Sequence, residues 1–137
     1  MKPESKLWHK MKENMPKIFW TRFENWALPG VPDVHGIKDG ISFWVELKVI
    51  TSNKINLSPH QIMWNYKYSL RGGRSFIMAQ TLPRSLLYIF PGCYVHSIAG
   101  PGASADPQWV FDLHPWPAAQ LEEIFLHSPL PIPPAQQ

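Results

Sequence analysis

The chain has 137 residues, of which 45% are hydrophobic, and such a length is typical of one domain with a core of its own. Its single cysteine, Cys93, excludes an internal disulfide framework and is compatible with a reducing compartment. No apolar run approaches the ~18 residues of a membrane span, and no apolar stretch of signal-peptide length follows the first residues. We therefore expect a soluble protein of the cytoplasm, with no membrane partner.

The charges are distributed unevenly along the chain. All 13 Lys and Arg residues lie at or before Arg84, together with 6 of the 10 Asp and Glu residues, so residues 1–84 carry +7 and the remainder −4. Such a basic portion suits a polyanionic substrate, because Lys and Arg neutralise phosphates. An ordinary solvated surface would give the same composition. Charge alone leaves both interpretations open.

The first predicted element is helical and covers residues 7–23. Apolar residues recur there at spacings of three or four, with basic residues between them. Pro16 is expected to break the run near Met15, because proline lacks the backbone donor that a helix interior needs. The second piece would deliver Arg22 and Glu24 to the next segment. Glu24 is then either a third carboxylate of a site or an exposed acid at a helix end.

Residues 30–48 predict a β-hairpin. Asp39-Gly40 is the strongest turn signal in the chain, because both residues tolerate the positive φ of a two-residue loop. The second arm alternates, which places Phe43, Val45 and Leu47 on a core face and leaves the other face for polar residues. That loop would pair Lys38 with Ile41, His35 with Trp44 and Asp33 with Glu46.

The opposed carboxylates Asp33 and Glu46 are the main candidates for chemistry. Like charges directly opposite each other are destabilising unless something compensates, and a divalent cation would do so. Mg²⁺ is held by one or two carboxylates, with water and phosphate oxygens in the rest of its shell. Lys48 projects from the same face. His35 has no neighbouring His or Cys at ligand spacing, so it is weak support for zinc and suits a supporting polar role or one in nucleic-acid contact.

A second helix is predicted from Ser58 to Leu70. Ser58 can cap it, Pro59 suits its first position, and Gln61 three residues after Ser58 completes a capping box. The helix should end at Gly72-Gly73. Gln61 is either a cap alone or also a residue that points into the site. Residues 51–57 before this helix predict a loop.

The remainder predicts strands, a connection, a short helix and a tail. These elements cover residues 75–81 and 85–90 (strands), 99–107 (Gly/Pro/Ser-rich connection), 109–113 (strand), 117–126 (helix) and 129–137 (extended Pro-rich tail).

The residues Arg22-Phe-Glu24-Asn25, Gly30-Val-Pro-Asp-Val and Trp44-Val-Glu-Leu-Lys, followed by a helix with Gln61 in its first turn, resemble the PD-(D/E)XK nuclease superfamily. Within it, the resemblance is closest to small VRR-NUC-type nucleases of bacteriophages and to Holliday-junction resolvases, and it covers roughly residues 22–90. It implies an α/β (α+β) fold with a restriction-endonuclease-like αβββαβ core, a mixed central sheet flanked by helices. Residues 1–98 would form this domain and residues 99–137 a C-terminal extension.

The resemblance also implies roles for individual residues. Asp33, Glu46 and the backbone carbonyl of Leu47 would hold Mg²⁺, with Mn²⁺ as a substitute, and Lys48 would orient the attacking water or steady developing charge. Glu24 matches the N-terminal acidic position of the family, and Gln61 its helix glutamine. The exonuclease branch has a tyrosine four residues after that glutamine, where this chain has Asn65, and this difference disfavours an end-resecting exonuclease.

The expected function is therefore a Mg²⁺-dependent DNA endonuclease, selective for Holliday junctions or other branched DNA and of viral origin, in the host cytoplasm. Symmetric cutting of a junction would require a homodimer. The alternative is a DNA-binding or assembly protein of the same fold whose catalysis has lapsed. Candidate DNA contacts are Arg22, His35, Lys38, Lys54, Arg71 and Arg74.

Overall fold

The computed structural model describes residues 2–24, 29–99 and 106–131. The elements are α1 (Pro3–Asn14), β1 (Phe19–Arg22), β2 (Val34–Lys38), β3 (Ile41–Ile50), α2 (Pro59–Leu70), β4 (Ser75–Thr81), β5 (Leu86–Pro91), a 3₁₀ turn (Gly92–Tyr94), α3 (Val95–Ile98), β6 (Trp109–Asp112) and α4 (Ala118–His127). Six strands form one sheet in the order β1-β2-β3-β4-β5-β6. The β3–β4 pair is parallel and the other pairs are antiparallel, so the sheet is mixed, and helices flank it. This confirms the predicted fold class.

The β2–β3 hairpin has the predicted register. Lys38 pairs with Ile41 and His35 pairs with Trp44. Both loop residues have positive φ, 53° at Asp39 and 77° at Gly40, as a two-residue loop requires. Asp33 comes directly before β2, and its backbone carbonyl accepts a hydrogen bond from the Phe23 amide at 2.7 Å.

The predicted second helical piece of residues 7–23 is wrong. Residues 19–22 form strand β1, which pairs antiparallel with β2. The helix α1 begins earlier than expected, with Pro3 in its first turn, and ends before Pro16. Beyond Pro16 the residues are aromatic and β-branched, so they suit a sheet edge, and pairing with β2 supplies the hydrogen bonds that a two-turn helix would have made internally.

Helix α2 follows the prediction closely. The Ser58 hydroxyl accepts from the Gln61 amide at 3.1 Å, and the Gln61 side-chain carbonyl accepts from the Ser58 amide at 2.9 Å, so the capping box is complete. Gly72 has a φ of 82°, the left-handed conformation that ends a helix. The N-terminus of α2 is thus fixed by local sequence.

The sheet has an apolar core on each side. On the first side α1 and α4 pack against β3, where Phe43 stacks on Phe125 with ring centroids 4.9 Å apart. On the second side α2 and α3 cover the β3–β5 region. The second core consists of Ile50, Ile55, Tyr66, Ile77, Ala79, Phe90, Val95 and Ile98. The alternation of β3 therefore serves both cores, as expected for a central strand.

Residues 106–131 complete this same sheet and core. β6 pairs with β5, and Lys38 of the hairpin forms an ion pair with Glu122 of α4. The predicted connection over residues 99–107 and the predicted tail fall mostly on residues 100–105 and 132–137, outside the described residues, as do Asn25 and Trp26. Within the described part of the chain, no helix is long and apolar enough to cross a bilayer.

Candidate functional site

The site lies where β3 extends beyond β2. The β2–β3 ladder ends at the pair Val34–Val45, whereas the pairing of β3 with β4 continues to Ile50. The second half of β3 is therefore flanked by a strand on one side and open to a groove on the other. Because Glu46 and Lys48 alternate with the core residues Val45 and Leu47, both lie on the α2 face of the sheet.

Asp33 and Glu46 meet at the floor of this groove. The Asp33 Oδ2 atom accepts a hydrogen bond from the Leu47 amide at 3.0 Å, so the side chain of Asp33 takes the position of a missing strand partner. The two carboxyl groups are within hydrogen-bonding reach of each other. The residues predicted to face each other thus lie close together, one position beyond the last pair of the β2–β3 ladder, and the tight turn fixes that register.

Glu46 is the only charged residue that is fully buried within the described part of the chain, with 2% of its surface exposed. Burial raises the pKa of its carboxyl, and the hydrogen bond and charge of Asp33 raise it further. The Lys48 ammonium and the Gln61 amide act in the opposite direction. The folded site therefore disfavours the ionised form of Glu46, and a cation bound there would favour that form.

Gln61 connects the capping box to the site. Its Nε2 atom donates to Glu46 Oε1 at 3.1 Å, while its Oε1 atom accepts from the Ser58 amide. The same side chain therefore caps α2 and fixes the orientation of the Glu46 carboxyl. Of the two alternatives for Gln61, the structure shows the second, a cap that also points into the cavity.

A cavity of about 180 Å³ opens over these groups. It is lined by Lys2, Glu4, Ser5, Arg22, Asp33, Glu46, Leu47, Lys48 and Gln61. The Arg22 guanidinium donates to the Ser5 hydroxyl at 3.0 Å, which holds the end of β1 against the start of α1. Three positive side chains, those of Lys2, Arg22 and Lys48, thus line the same cavity as the carboxylate pair.

The contribution of α1 to this cavity was missed by the sequence analysis. Lys2, Glu4 and Ser5 precede the apolar periodicity that begins at Leu7, so they lay outside the predicted helix. Pro3 and the acidic Glu4 in the first turn are signals of a helix start that could have extended it. Glu24, by contrast, is exposed and lies outside the cavity lining.

Most of the predicted DNA contacts have structural partners in the protein itself, as Arg22 has in Ser5. The Arg74 guanidinium donates to the carbonyls of Phe125 and Ile124 at 2.7 and 2.9 Å, and so caps the C-terminus of α4. Lys38 is paired with Glu122. His35 packs on Trp44 with ring centroids 4.8 Å apart, and burial lowers the pKa of its imidazole.

Lys54 and Arg71 are exposed. Arg71 donates to the Lys67 carbonyl at 2.9 Å, within the end of α2. Of the six predicted contacts, Arg22 alone lines the cavity. Whether any of them touches DNA stays a prediction.

The donor set suits a cation that keeps much of its water. Within the described residues, no group of three or more His, Cys, Asp and Glu side chains could hold a metal ion, so a closed zinc-type site is not formed there. Two carboxylates in contact and a nearby backbone carbonyl are what Mg²⁺ uses when substrate oxygens complete its shell. The residues present therefore fit Mg²⁺.

Comparisons with known proteins bear on the fold. No protein-family model matches the sequence, and no curated protein is significantly similar to it. Among solved structures, the chain is similar to Hjc from Archaeoglobus fulgidus, a Holliday junction resolvase from an archaeal hyperthermophile, with a TM-score of 0.51 and 14% identity. The match covers 81% of this chain and 86% of that one. The mixed sheet with its flanking helices is therefore a resolvase-like fold.

Proposed function

We propose that this chain is a metal-dependent nuclease that hydrolyses phosphodiester bonds in DNA. The observation that carries the proposal is the contact between Asp33 and Glu46 on the floor of an open groove, with Lys48 on the same face of β3. The resolvase-like fold supports the same conclusion. A carboxylate pair held at the cost of burial has no evident structural purpose, since an apolar pair would pack there with less penalty.

Asp33, Glu46 and the Leu47 carbonyl would hold Mg²⁺, or Mn²⁺ in its place. When bound, the ion supplies Lewis acidity toward the scissile phosphate and toward a water molecule. The Leu47 amide donates to Asp33 Oδ2, and the Gln61 amide donates to Glu46 Oε1. These contacts fix both carboxylates before substrate arrives, as efficient catalysis requires.

The cationic side chains around the cavity would act on the substrate. Lys48 shares the face of Glu46, so its ammonium can stabilise negative charge that develops on the phosphoryl oxygens or orient the attacking water. Arg22, held by Ser5, can bind a phosphate oxygen through its remaining N–H groups. Glu4 lines the same cavity and can accept a proton or a hydrogen bond from water.

We favour branched DNA as the substrate. Hjc, whose fold is similar, is a Holliday junction resolvase. The described chain has one sheet with two cores and no separate recognition module, so DNA shape is easier for it to read than sequence. Cutting both strands of a symmetric junction needs two sites, and a symmetric dimer would supply them.

Cleavage of labelled four-way junction, flap, single-stranded and linear duplex DNA with Mg²⁺ or Mn²⁺ tests the proposal. We expect metal-dependent cutting of the junction that falls by about 10²-fold or more in Asp33→Asn and Lys48→Ala, because each removes charge at the reacting phosphate. Asp39→Asn is the matched control, since Asp39 is an exposed turn residue whose positive φ asparagine tolerates.

Each outcome separates the candidates. If the natural chain cuts none of these substrates with either metal but still binds DNA, the lapsed DNA-binding protein replaces the nuclease. If Asp33→Asn and Asp39→Asn retain equal activity, the activity does not come from this groove.

A further inference from the structure

A second depression, of about 400 Å³, lies at the C-terminal end of β3. It is lined by residues 50–53 and by residues 81–84, which cover the end of β4 and the start of the turn to β5. Leu86 and Tyr88 of β5 complete the lining. It shares no residue with the candidate site, whose cavity measures about 180 Å³.

The lining of this depression suits an anion. Arg84 is its one charged residue, and no acidic side chain takes part. Thr51, Ser52 and Asn53 are exposed and add hydroxyl and amide groups to the same lining. A guanidinium together with neutral hydrogen-bond donors suits phosphate, because the guanidinium fork matches two phosphate oxygens.

Arg84 also differs from the other arginines of the chain. The guanidinium groups of Arg22, Arg71 and Arg74 each donate to an acceptor within the protein. Among the residues that the structure describes, no acceptor is bonded to the Arg84 guanidinium. Its backbone is nevertheless held, because the Thr81 hydroxyl donates to the Arg84 carbonyl and accepts from the Leu86 amide. The Arg84 backbone is thus held in place, while its guanidinium is free to bind an anion.

The depression and the candidate site lie along the same face of β3. Every second residue of a strand lies on one face, so Glu46, Lys48 and Ile50 share a face, and Ile50 lines the depression. At roughly 3.3 Å per residue, Ile50 lies about 13 Å beyond Glu46. Phosphates of one strand of B-form DNA are spaced by about 3.4 Å along the axis, so this length corresponds to three or four nucleotides of a duplex whose axis runs along β3.

We propose that this depression is a second phosphate subsite, in which Arg84 binds the DNA backbone three or four nucleotides from the bond that is cut. The proposal rests on the proposed function for the position of the cut, but the binding itself does not require catalysis. The subsite would fix the direction in which a DNA strand crosses the groove, because it anchors the strand at one side of the carboxylate pair.

Metal-free binding of DNA at several salt concentrations, in EDTA, tests the subsite. Arg84→Gln should weaken binding about equally for different DNA sequences and reduce the slope of log K against log salt by about 0.9, the value for one phosphate contact. Arg84→Lys should retain the slope. Lys17→Gln is the matched control, because it removes one exposed charge near the C-terminal end of α1, away from the site at its N-terminus.

A single neutral methylphosphonate placed along the strand locates the contact. At three or four nucleotides from the mapped cut on one side, it should weaken binding by the natural chain and leave binding by Arg84→Gln unchanged. Equal salt slopes for Arg84→Gln and Lys17→Gln would overturn the subsite even if the chain is a nuclease. A reduced slope in a chain that cuts no DNA would support the subsite as a phosphate site and overturn the nuclease.

Discussion

The Glu46 carboxyl combines burial with close negative charge, and its neighbours come from several elements. Asp33 approaches from the start of β2, Gln61 from α2 and Lys48 from β3 itself, while Glu4 of α1 lines the same cavity. Because its pKa is raised in the folded state, ionisation of Glu46 opposes folding. Below about pH 4.5 the group is protonated in both states and the penalty vanishes.

The metal-free protein should therefore lose stability as pH rises from about 4.5 toward the raised pKa of Glu46. Glu46→Gln removes the ionisable group, so the melting temperature of this variant relative to the natural chain should increase between about pH 5 and pH 8. One unit of pKa shift corresponds to about 1.4 kcal/mol, and we expect at least that gain at the upper pH. Thermal unfolding in EDTA measures it.

Glu123→Gln, which changes an exposed carboxyl of α4, serves as the control and should show no such trend. Adding Mg²⁺ should raise the melting temperature of the natural chain more than that of Glu46→Gln, since a ligand of the folded state stabilises it. A difference between Glu46→Gln and the natural chain that does not change with pH would contradict this account.

Alternation and turn chemistry made Asp33, Glu46 and Lys48 predictable as neighbours, because both are local properties of the hairpin. Glu4 was not predictable in the same way. It lies far from the hairpin in sequence and reaches the cavity only because α1 packs across the sheet with Leu7 and Met11 in the core.

At the scale of elements, the N-terminus of α2 is coupled to the site through one side chain. The capping box needs Ser58 and Gln61, whereas the contact with Glu46 needs Gln61 alone. The two functions of Gln61 can therefore be separated by substitution.

Ser58→Ala should lower the free energy of unfolding by about 1 kcal/mol and leave the rate of DNA cleavage nearly unchanged. Gln61→Ala should lower stability as well and reduce cleavage by roughly tenfold or more, because Glu46 loses the partner that orients it. Urea denaturation and single-turnover cleavage measure the two effects. The exposed His60→Ala on the same turn is the control, and equal cleavage by all three variants would show that the Gln61 contact is structural only.

The wrong prediction of a helix for residues 19–22, which form β1, also concerns a single element. Phe19 and Arg22 fit the helical spacing of residues 7–23 as well as a short strand, so periodicity could not separate the two. Pairing with β2 decided in favour of the strand. The position of β2 is fixed by the hairpin turn at Asp39, which lies 17 residues after the end of β1.

At the scale of the whole molecule, α4 joins parts that are distant in sequence. It stacks Phe125 on Phe43, receives Arg74 at its C-terminus and pairs Glu122 with Lys38. Two of the basic residues that the sequence suggested for DNA, Lys38 and Arg74, thus hold α4 on the sheet. On the other side, α2 leaves Met63 and Leu70 exposed by 41% and 53%, seven residues apart and so on one face of the helix.

We expect this α2 face to form the interface of the proposed dimer. The natural chain should sediment as a dimer at micromolar concentration, and Met63→Glu combined with Leu70→Glu should give a folded monomer, because a buried unpaired charge opposes association. Val110→Glu, which changes an exposed apolar residue of the edge strand β6, is the control and should remain dimeric. A natural chain that sediments as a monomer would remove the dimer from the proposal.

The sequence by itself determined the elements whose signals are local: the hairpin turn and its register, the capped helix α2, and the pairing of Asp33 with Glu46. It determined them because turn conformation, capping and alternation depend on residues only a few positions apart. Tertiary structure alone decided that β1 is a strand and that Glu4 and Lys2 line the cavity. It also decided that the Arg74 guanidinium binds the carbonyls at the end of α4, while the Arg84 guanidinium has no hydrogen-bond acceptor among the described residues. These facts depend on contacts between residues far apart in sequence, which no local pattern encodes.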